Sequence, residues 1–299
     1  SRTRIASVLA MPVADSAGAI LLSPSASLPQ LTGISSNFYR IFPSDFSEGT
    51  VMAKYAFDTL RLKTAVILAK QETYAKGIQE VFADEFRRKG GQILEQVDFP
   101  PNTTDFAALA DRAVTLKPDA VYVAAYAEEI SHLISQLRGM GYTGTILTTS
   151  SFAAAATIAK TGAAAEGVLF TQSAFDVVGN LSEHVKSFVA AYRAKYKADP
   201  DLYAAHGYDA FNVLVEAIKG GSKTANTFWK GLRNLREYPG VTGIIQFDER
   251  GDVSKFPRVY VVAEGRAVDR EQERQRQLEE ARRKIQEIEK QLREMKQGD

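Results

Sequence analysis

Between Thr64 and Gln172, short runs of β-branched and aliphatic residues alternate with longer stretches whose apolar positions recur every three to four residues. That alternation predicts a parallel sheet flanked by helices, a doubly wound α/β unit. The strands read as Thr64–Ala69, Gln92–Val97, Asp119–Ala124, Thr145–Thr148 and Gly167–Thr171. The helices between them read as about Tyr74–Lys89, Asp105–Leu116, Ala127–Met140 and Phe152–Thr161, with Gly90-Gly91 and Gly141 placed as stops. The preceding segment has the same grammar: a helix near Thr3–Ala14, a strand at Ala19–Leu22 and a helix from Ser47 to about Leu62. After Gln172 three helical stretches follow one another, about Leu181–Tyr196, Tyr203–Lys219 and Thr224–Leu235. Two last strands, Gly243–Phe247 and Arg258–Val262, flank the turn-rich Asp248-Glu-Arg-Gly-Asp252. Such a return after a complete sheet predicts a chain that crosses between two lobes more than once.

The tail has another texture. From Asp269 onward Gly and Pro vanish until Gly298, charge dominates, and apolar residues fall at Leu278, Ala281, Ile285, Ile288, Leu292 and Met295. These spacings form an a/d seam of about three heptads. A solvated helix docked on its own protein and an oligomerising helix both fit that pattern.

At 299 residues and 45% hydrophobic content the chain can bury a large core and form two domains. A formal net charge of +1 supplies no global field for nucleic acid or an anionic membrane, so a partner must be recognised locally. The absence of cysteine excludes disulfides, thiolate metal sites and a cysteine nucleophile. No stretch approaches the roughly 20 apolar residues that span a bilayer. The start, Ser1, carries no leader pattern, which leads us to expect that an upstream segment has been removed.

In open α/β sheets, ligands bind beyond the carboxyl ends of the strands. The residues at those ends are Ser23, Ser25 and Ser27, then Tyr74, then Tyr126, then Thr149, Ser150 and Ser151. All are neutral hydroxyls, suited to hydrogen-bonding a carboxylate or carbonyl and pointing to binding more than to catalysis. The catalytic templates fail. No Gly-x-Gly-x-x-Gly follows a strand, and Gly220-Gly-Ser-Lys-Thr224 lacks the spacing of a phosphate loop. His132, His184 and His206 fall in predicted helices at no metal-ligand spacing, and there is no Gly-x-Ser-x-Gly elbow. Glu128 and Glu129 point about 100° apart on a helix, and Asp248–Asp252 lacks the second half of a calcium loop and reads as a turn. No enzyme activity, cofactor or metal is expected.

An ordered series of motifs resembles the solute-binding proteins of branched-chain amino acid ABC transporters. It comprises Ser-Pro-Ser-Ala-Ser-Leu-Pro-Gln-Leu-Thr (23–32), Phe-Tyr-Arg-Ile-Phe-Pro-Ser-Asp (38–45), Tyr-Ala-Lys-Gly (74–77), Lys-Pro-Asp-Ala-Val-Tyr (117–122), Gly-Tyr-Asp-Ala (207–210) and Phe-Asp-Glu-Arg-Gly-Asp (247–252). The resemblance implies a two-lobed type I periplasmic-binding fold with crossings near Ser44, Ser173 and Gly243–Phe247. Lobe one would comprise 1–45 and 176–245, lobe two 46–175 and 246–266, and the charged tail 267–299. The family's preceding strand–helix–strand–helix–strand unit is not in this sequence, so lobe one is expected to be incomplete unless another chain or an unshown segment supplies those strands.

Carried over by residue, the resemblance implies that backbone amides of the loop Ser25, Ala26 and Ser27, with the Ser27 hydroxyl, receive a ligand carboxylate. Tyr74 and Tyr126 would close over it, and Tyr203 would line the cleft. Ser150 stands where amino-acid binders of the family carry an acid for the ligand's ammonium, which makes other carboxylates or an amide credible ligands beside an amino acid. The implied function is a periplasmic or extracellular receptor that delivers its solute to a membrane ABC permease. A sensor domain with a helix that dimerises through 278–295 is the alternative.

Overall fold

The computed structural model describes residues 2–177, 181–221 and 224–297, with backbone alone for 2–5, 225–226 and 289–297. The run Ala-Val-Tyr-Val-Ala is β5 (Ala120–Ala124), and every residue in it is buried, as a strand covered on both faces requires. It lies within a sheet of order β11-β10-β7-β6-β5-β3-β4. Its parallel members are β3 (Thr64–Lys70), β4 (Gln92–Phe99), β5, β6 (Thr145–Thr148) and β7 (Leu169–Gln172). At one side β10 (Arg258–Ala263) and β11 (Arg266–Asp269) join antiparallel.

One face of this sheet is covered by α2 (Asp45–Lys54) and α3 (Thr73–Arg88), whose Met52, Ala53, Ile78 and Phe82 pack on Ile67, Tyr122 and Leu147. The other face meets α4 (Ala107–Thr115), α5 (Ala127–Gly139) and α6 (Ala155–Thr161) through Ala110, Leu133, Leu137 and Ile158. Strand β3 has β4 on one side and β5 on the other, so the order of winding reverses at the β3/β5 junction. Ligands of open sheets lodge at such switch points.

Lobe one is smaller. Helix α1 (Arg2–Ser16) leads to the parallel pair β1 (Leu21–Ser23) and β2 (Phe38–Arg40). After the second crossing come α7 (Glu183–Tyr196), α8 (Leu202–Lys219), α9 (Ala225–Asn234) and the antiparallel pair β8 (Tyr238–Gly240) and β9 (Gly243–Ile245). Tyr39, Ile41, Val213, Leu232, Ile245, Phe247 and Val253 form its main core. Val8, Leu9 and Val13 of α1 and Phe211 of α8 are exposed.

Three sequence expectations are corrected, on β2, on the start of α2 and on the last strand. Phe38–Arg40 is a strand, short but wholly buried. Helix α2 starts two residues early because the Ser44 hydroxyl accepts the Phe46 amide. Phe247 and Val253 pack in the same core as Tyr39 and Val213, and β10 joins the large sheet from Arg258. Arg266–Asp269 is the last strand, and the tail helix, α10 (Arg270–Gln297), begins after it. Asp269 is buried and caps α10, accepting the amides of Glu271 and Gln272 at 2.9 and 3.2 Å. Glu273 is also buried, whereas Leu278, Ile285 and Ile288 are exposed, so the helix is docked by its first turn and then runs into solvent. The seam positions Leu292 and Met295 lie outside the residues whose side chains are described.

Candidate functional site

The lobe-two wall stands at the switch point. Tyr74 lies in the first turn of α3, just past β3, and Tyr126 occupies the N-cap position of α5, just past β5. Their rings stack with centroids 5.5 Å apart and planes 20° from parallel. The Tyr74 hydroxyl accepts from Ser151 Oγ at 3.0 Å, which ties the pair to the loop after β6. Beside Tyr126, Lys70 Nζ sits 5.0 Å from the ring centre and pairs with Glu129 at 2.6 Å and Glu72 at 3.3 Å. Burial works against the Lys70 ammonium, but its bonds to Glu129 and Glu72 outweigh burial and hold its pKa above the ordinary lysine value.

The lobe-one wall is the loop after β1. Ser23 Oγ accepts the amides of Ser25 at 3.4 Å and Ala26 at 3.0 Å, and the Ser27 carbonyl accepts from the Asp45 amide at 2.8 Å. The amides of Ser25 and Ala26 are therefore directed onto Ser23 Oγ, and the Ala26 side chain packs with Met11, Leu31 and Phe38. The far end of the loop is gripped by Arg40, which is fully buried. Its Nε and Nη2 donate to the two carboxylate oxygens of Asp252, each at 2.7 Å. Nη1 donates to the Leu28 carbonyl at 2.8 Å and Nη2 also to Thr32 Oγ1 at 2.6 Å. Asp252 is presented by a tight turn in which Asp248 Oδ1 accepts the amides of Arg250 and Asp252, each at 2.9 Å. Gly251 in that turn has φ +82°, and a Cβ there would meet the Phe38 carbonyl oxygen at 2.1 Å. The acidic stretch 248–252 is thus a structural turn, and the 38–40 and 247–252 motifs meet as a brace on the loop.

Between the walls lies a cavity of about 830 Å³, bounded by Val8 and Leu9 of α1, Leu28 and Gln30 of the loop, and Tyr74 and Tyr126. Of the expected site residues only the two tyrosines line it; Ser25, Ala26, Ser27, Ser150 and Tyr203 do not. Tyr203, in the first turn of α8, stacks on Phe42 at the first crossing, with centroids 6.2 Å apart. Ser150 donates its amide to Glu48 Oε1 at 3.3 Å.

Glu48, and Asp45 one turn before it, went unseen in the sequence. Both are buried in the first turn of α2, where carboxylates also suit the helix dipole. A signal was available: Asp45, Glu48, Met52, Ala53 and Ala56 share the buried stripe, so the helical period places a carboxylate on the core-facing side. Burial, and after it the negative charge of Glu48, hold the hydroxyls of Tyr74 and Tyr122 well above the usual tyrosine range. No group of three or more potential metal ligands occurs among the described residues, and none of their helices is long and apolar enough to cross a membrane.

This geometry accompanies a match of residues 4–265 to the family model described as periplasmic binding protein. The chain belongs to the periplasmic binding protein family. Among curated proteins of similar sequence, an amino acid binding protein of Pseudomonas aeruginosa is 26% identical over 250 residues, covering 82% of this chain. The chain spans 65% of that relative's length, a little under two thirds. Among solved structures, a leucine binding protein from Thermotoga maritima superposes with TM-score 0.79 at 31% identity, covering 87% of this chain and 74% of that one. A branched-chain amino acid transporter substrate-binding protein from Streptococcus pneumoniae, in complex with isoleucine, gives TM-score 0.78 at 28% identity, covering 88% and 76%. The two-lobed architecture of the periplasmic binding proteins is thus present here, with the lobe-one sheet reduced to short strands.

Proposed function

We propose that this chain is a non-enzymatic solute receptor, which traps a small amino acid or carboxylate between its lobes outside the cytoplasmic membrane and presents it to an ABC permease. The observation that carries this reading is the stacked Tyr74–Tyr126 pair at the switch point, facing the Ser23–Thr32 loop across the cavity. Membership of the family, and the leucine- and isoleucine-binding relatives, support it. Lobe one would comprise 1–45 and 176–253, and lobe two 46–175 and 254–269. On closure Ser27 would meet the ligand's carboxylate while the tyrosines cover its body. Contacts completed only when both walls touch the ligand would shift the population from open to closed. Isothermal titration calorimetry with leucine, isoleucine and valine tests the reading. Micromolar binding that weakens at least tenfold in Tyr126→Ala is expected, and unchanged affinity in that variant would remove the tyrosines from the site.

A second reading, a sensor whose tail helix dimerises, is favoured by one observation. At the second crossing, Phe175 donates its amide to the Tyr260 hydroxyl at 3.3 Å, and Tyr260 donates to Asp176 at 3.2 Å. Tyr260 pairs in register with Asp269, the cap of α10, so the crossing and the root of the tail share one contact. Light scattering of the whole chain and of a chain ending at Asp269 discriminates, since a monomer in both cases excludes a dimerising helix.

A further inference from the structure

Above the α2-facing side of the large sheet, behind the tyrosine wall, lies a group of buried polar atoms. Glu48 and Asp45 enter it from α2, Tyr74 from α3, and Tyr122 and Thr171 from the sheet. The Tyr122 hydroxyl is fully buried, has no hydrogen-bond partner among the described residues, and feels the charges of Glu48 and Asp45. Thr171 Oγ1 is likewise fully buried without a partner, and it shares its strand face with Leu169, which packs in the α2-side core. Leaving a buried hydroxyl without a partner is costly, so each such atom calls for an explanation. The group adjoins the cavity: the Tyr74 ring lines the cavity wall, and its hydroxyl holds Ser151, whose neighbour Ser150 bonds Glu48.

We propose that Glu48, with Asp45 behind it, supplies the negative charge for a protonated amine on the ligand, with the Tyr122 hydroxyl as a further acceptor. The charge then comes from helix α2 and not from the end of β6, where neutral Ser150 stands. A carboxylate in a site closed to water attracts a cation far more strongly than the same carboxylate in solvent, and its ionised form makes the stronger class of hydrogen bond. Glu48 thereby discriminates amine-bearing ligands from carboxylates of the same shape. This inference rests on the receptor reading.

The test is calorimetry with leucine, valine and phenylalanine, each beside the carboxylate that lacks only the amine. The wild-type protein should bind at least one amine-bearing compound about 10- to 100-fold tighter than its counterpart, the range of a charge-assisted hydrogen bond. Glu48→Gln should abolish that preference and leave the affinity for the counterpart within about twofold, with circular dichroism confirming the fold. Adding Ser150→Glu to Glu48→Gln should restore the preference. A wild-type preference for the deaminated compounds, or a preference that survives Glu48→Gln, overturns the assignment while leaving the receptor reading intact. Absence of binding by all six compounds overturns both. If Glu48→Gln does not fold, Tyr122→Phe takes its place: a weakened preference for the amine is expected, and an unchanged one overturns the assignment.

Discussion

On one side of the cleft Tyr74 and Tyr126 stand on the ends of β3 and β5, interior strands of a sheet packed on both faces. On the other, the loop Ser23–Thr32 leaves a three-residue strand paired only with β2, and is fastened by a buried guanidinium to a turn more than two hundred residues away. The first wall inherits its position from apolar packing, and the second from a polar clamp. Packing tolerates small losses gradually, whereas a buried ion pair that loses one partner leaves the other charge exposed to full desolvation cost. The two walls should therefore fail differently.

The largest expected difference comes from Arg40→Met. Removing one member of this buried pair should cost about 3–5 kcal/mol, confined to lobe one. Urea unfolding followed by hydrogen exchange should show early opening of 21–40 with β3 and β5 protected; simultaneous loss of both would show that the lobes do not open separately. Gly251→Ala acts on the same clamp by forcing a Cβ against the Phe38 carbonyl at positive φ, and should cost roughly 2–3 kcal/mol by the same assay.

Acid sharpens the contrast further. His206 in α8 is fully buried, and burial, with the nearby Lys255 charge, lowers its pKa to about 3 from the ordinary 6.5. The folded state thus resists a proton that the unfolded chain accepts. Stability from this group is complete above about pH 6.5 and falls at up to roughly 1.4 kcal/mol per pH unit toward pH 3. Lys255, whose Nζ donates to Thr242 Oγ1 of lobe one at 2.6 Å, is pushed down to about 8 by burial, so lobe one gains stability as pH rises from about 8 toward 10.5. Denaturation midpoints of lobe-one probes across this range check both slopes, and His206→Asn should flatten the acid limb. The smallest effect is expected on the packed wall: Tyr74→Phe removes the hydroxyl that bonds Ser151 and should cost about 0.5–1.5 kcal/mol.

The packed wall was legible in the sequence for the reason it is stable. Its strands are unbroken apolar runs set between amphipathic helices, and Tyr74 and Tyr126 fall just after two of them, so the positions follow from the rule for open sheets. The clamp was not legible, because Arg40, Thr32 and Asp252 are brought together by tertiary contacts that no local spacing records. The 247–252 motif reads as a turn from its residues alone, but its task of holding Arg40 does not show there. The β2 strand was missed because three residues give no period, and Glu48 because a carboxylate on a core-facing stripe is easily counted as surface charge.

The central claim is that one ligand is held by both walls at once. Amide hydrogen exchange with and without the tightest-binding of the six amino acids and carboxylates tests it most directly. The account predicts slowed exchange at Ser27 and Leu28 together with Tyr74, Ala75 and Ala127. Protection confined to one wall, with the other exchanging as in the ligand-free protein, would contradict it.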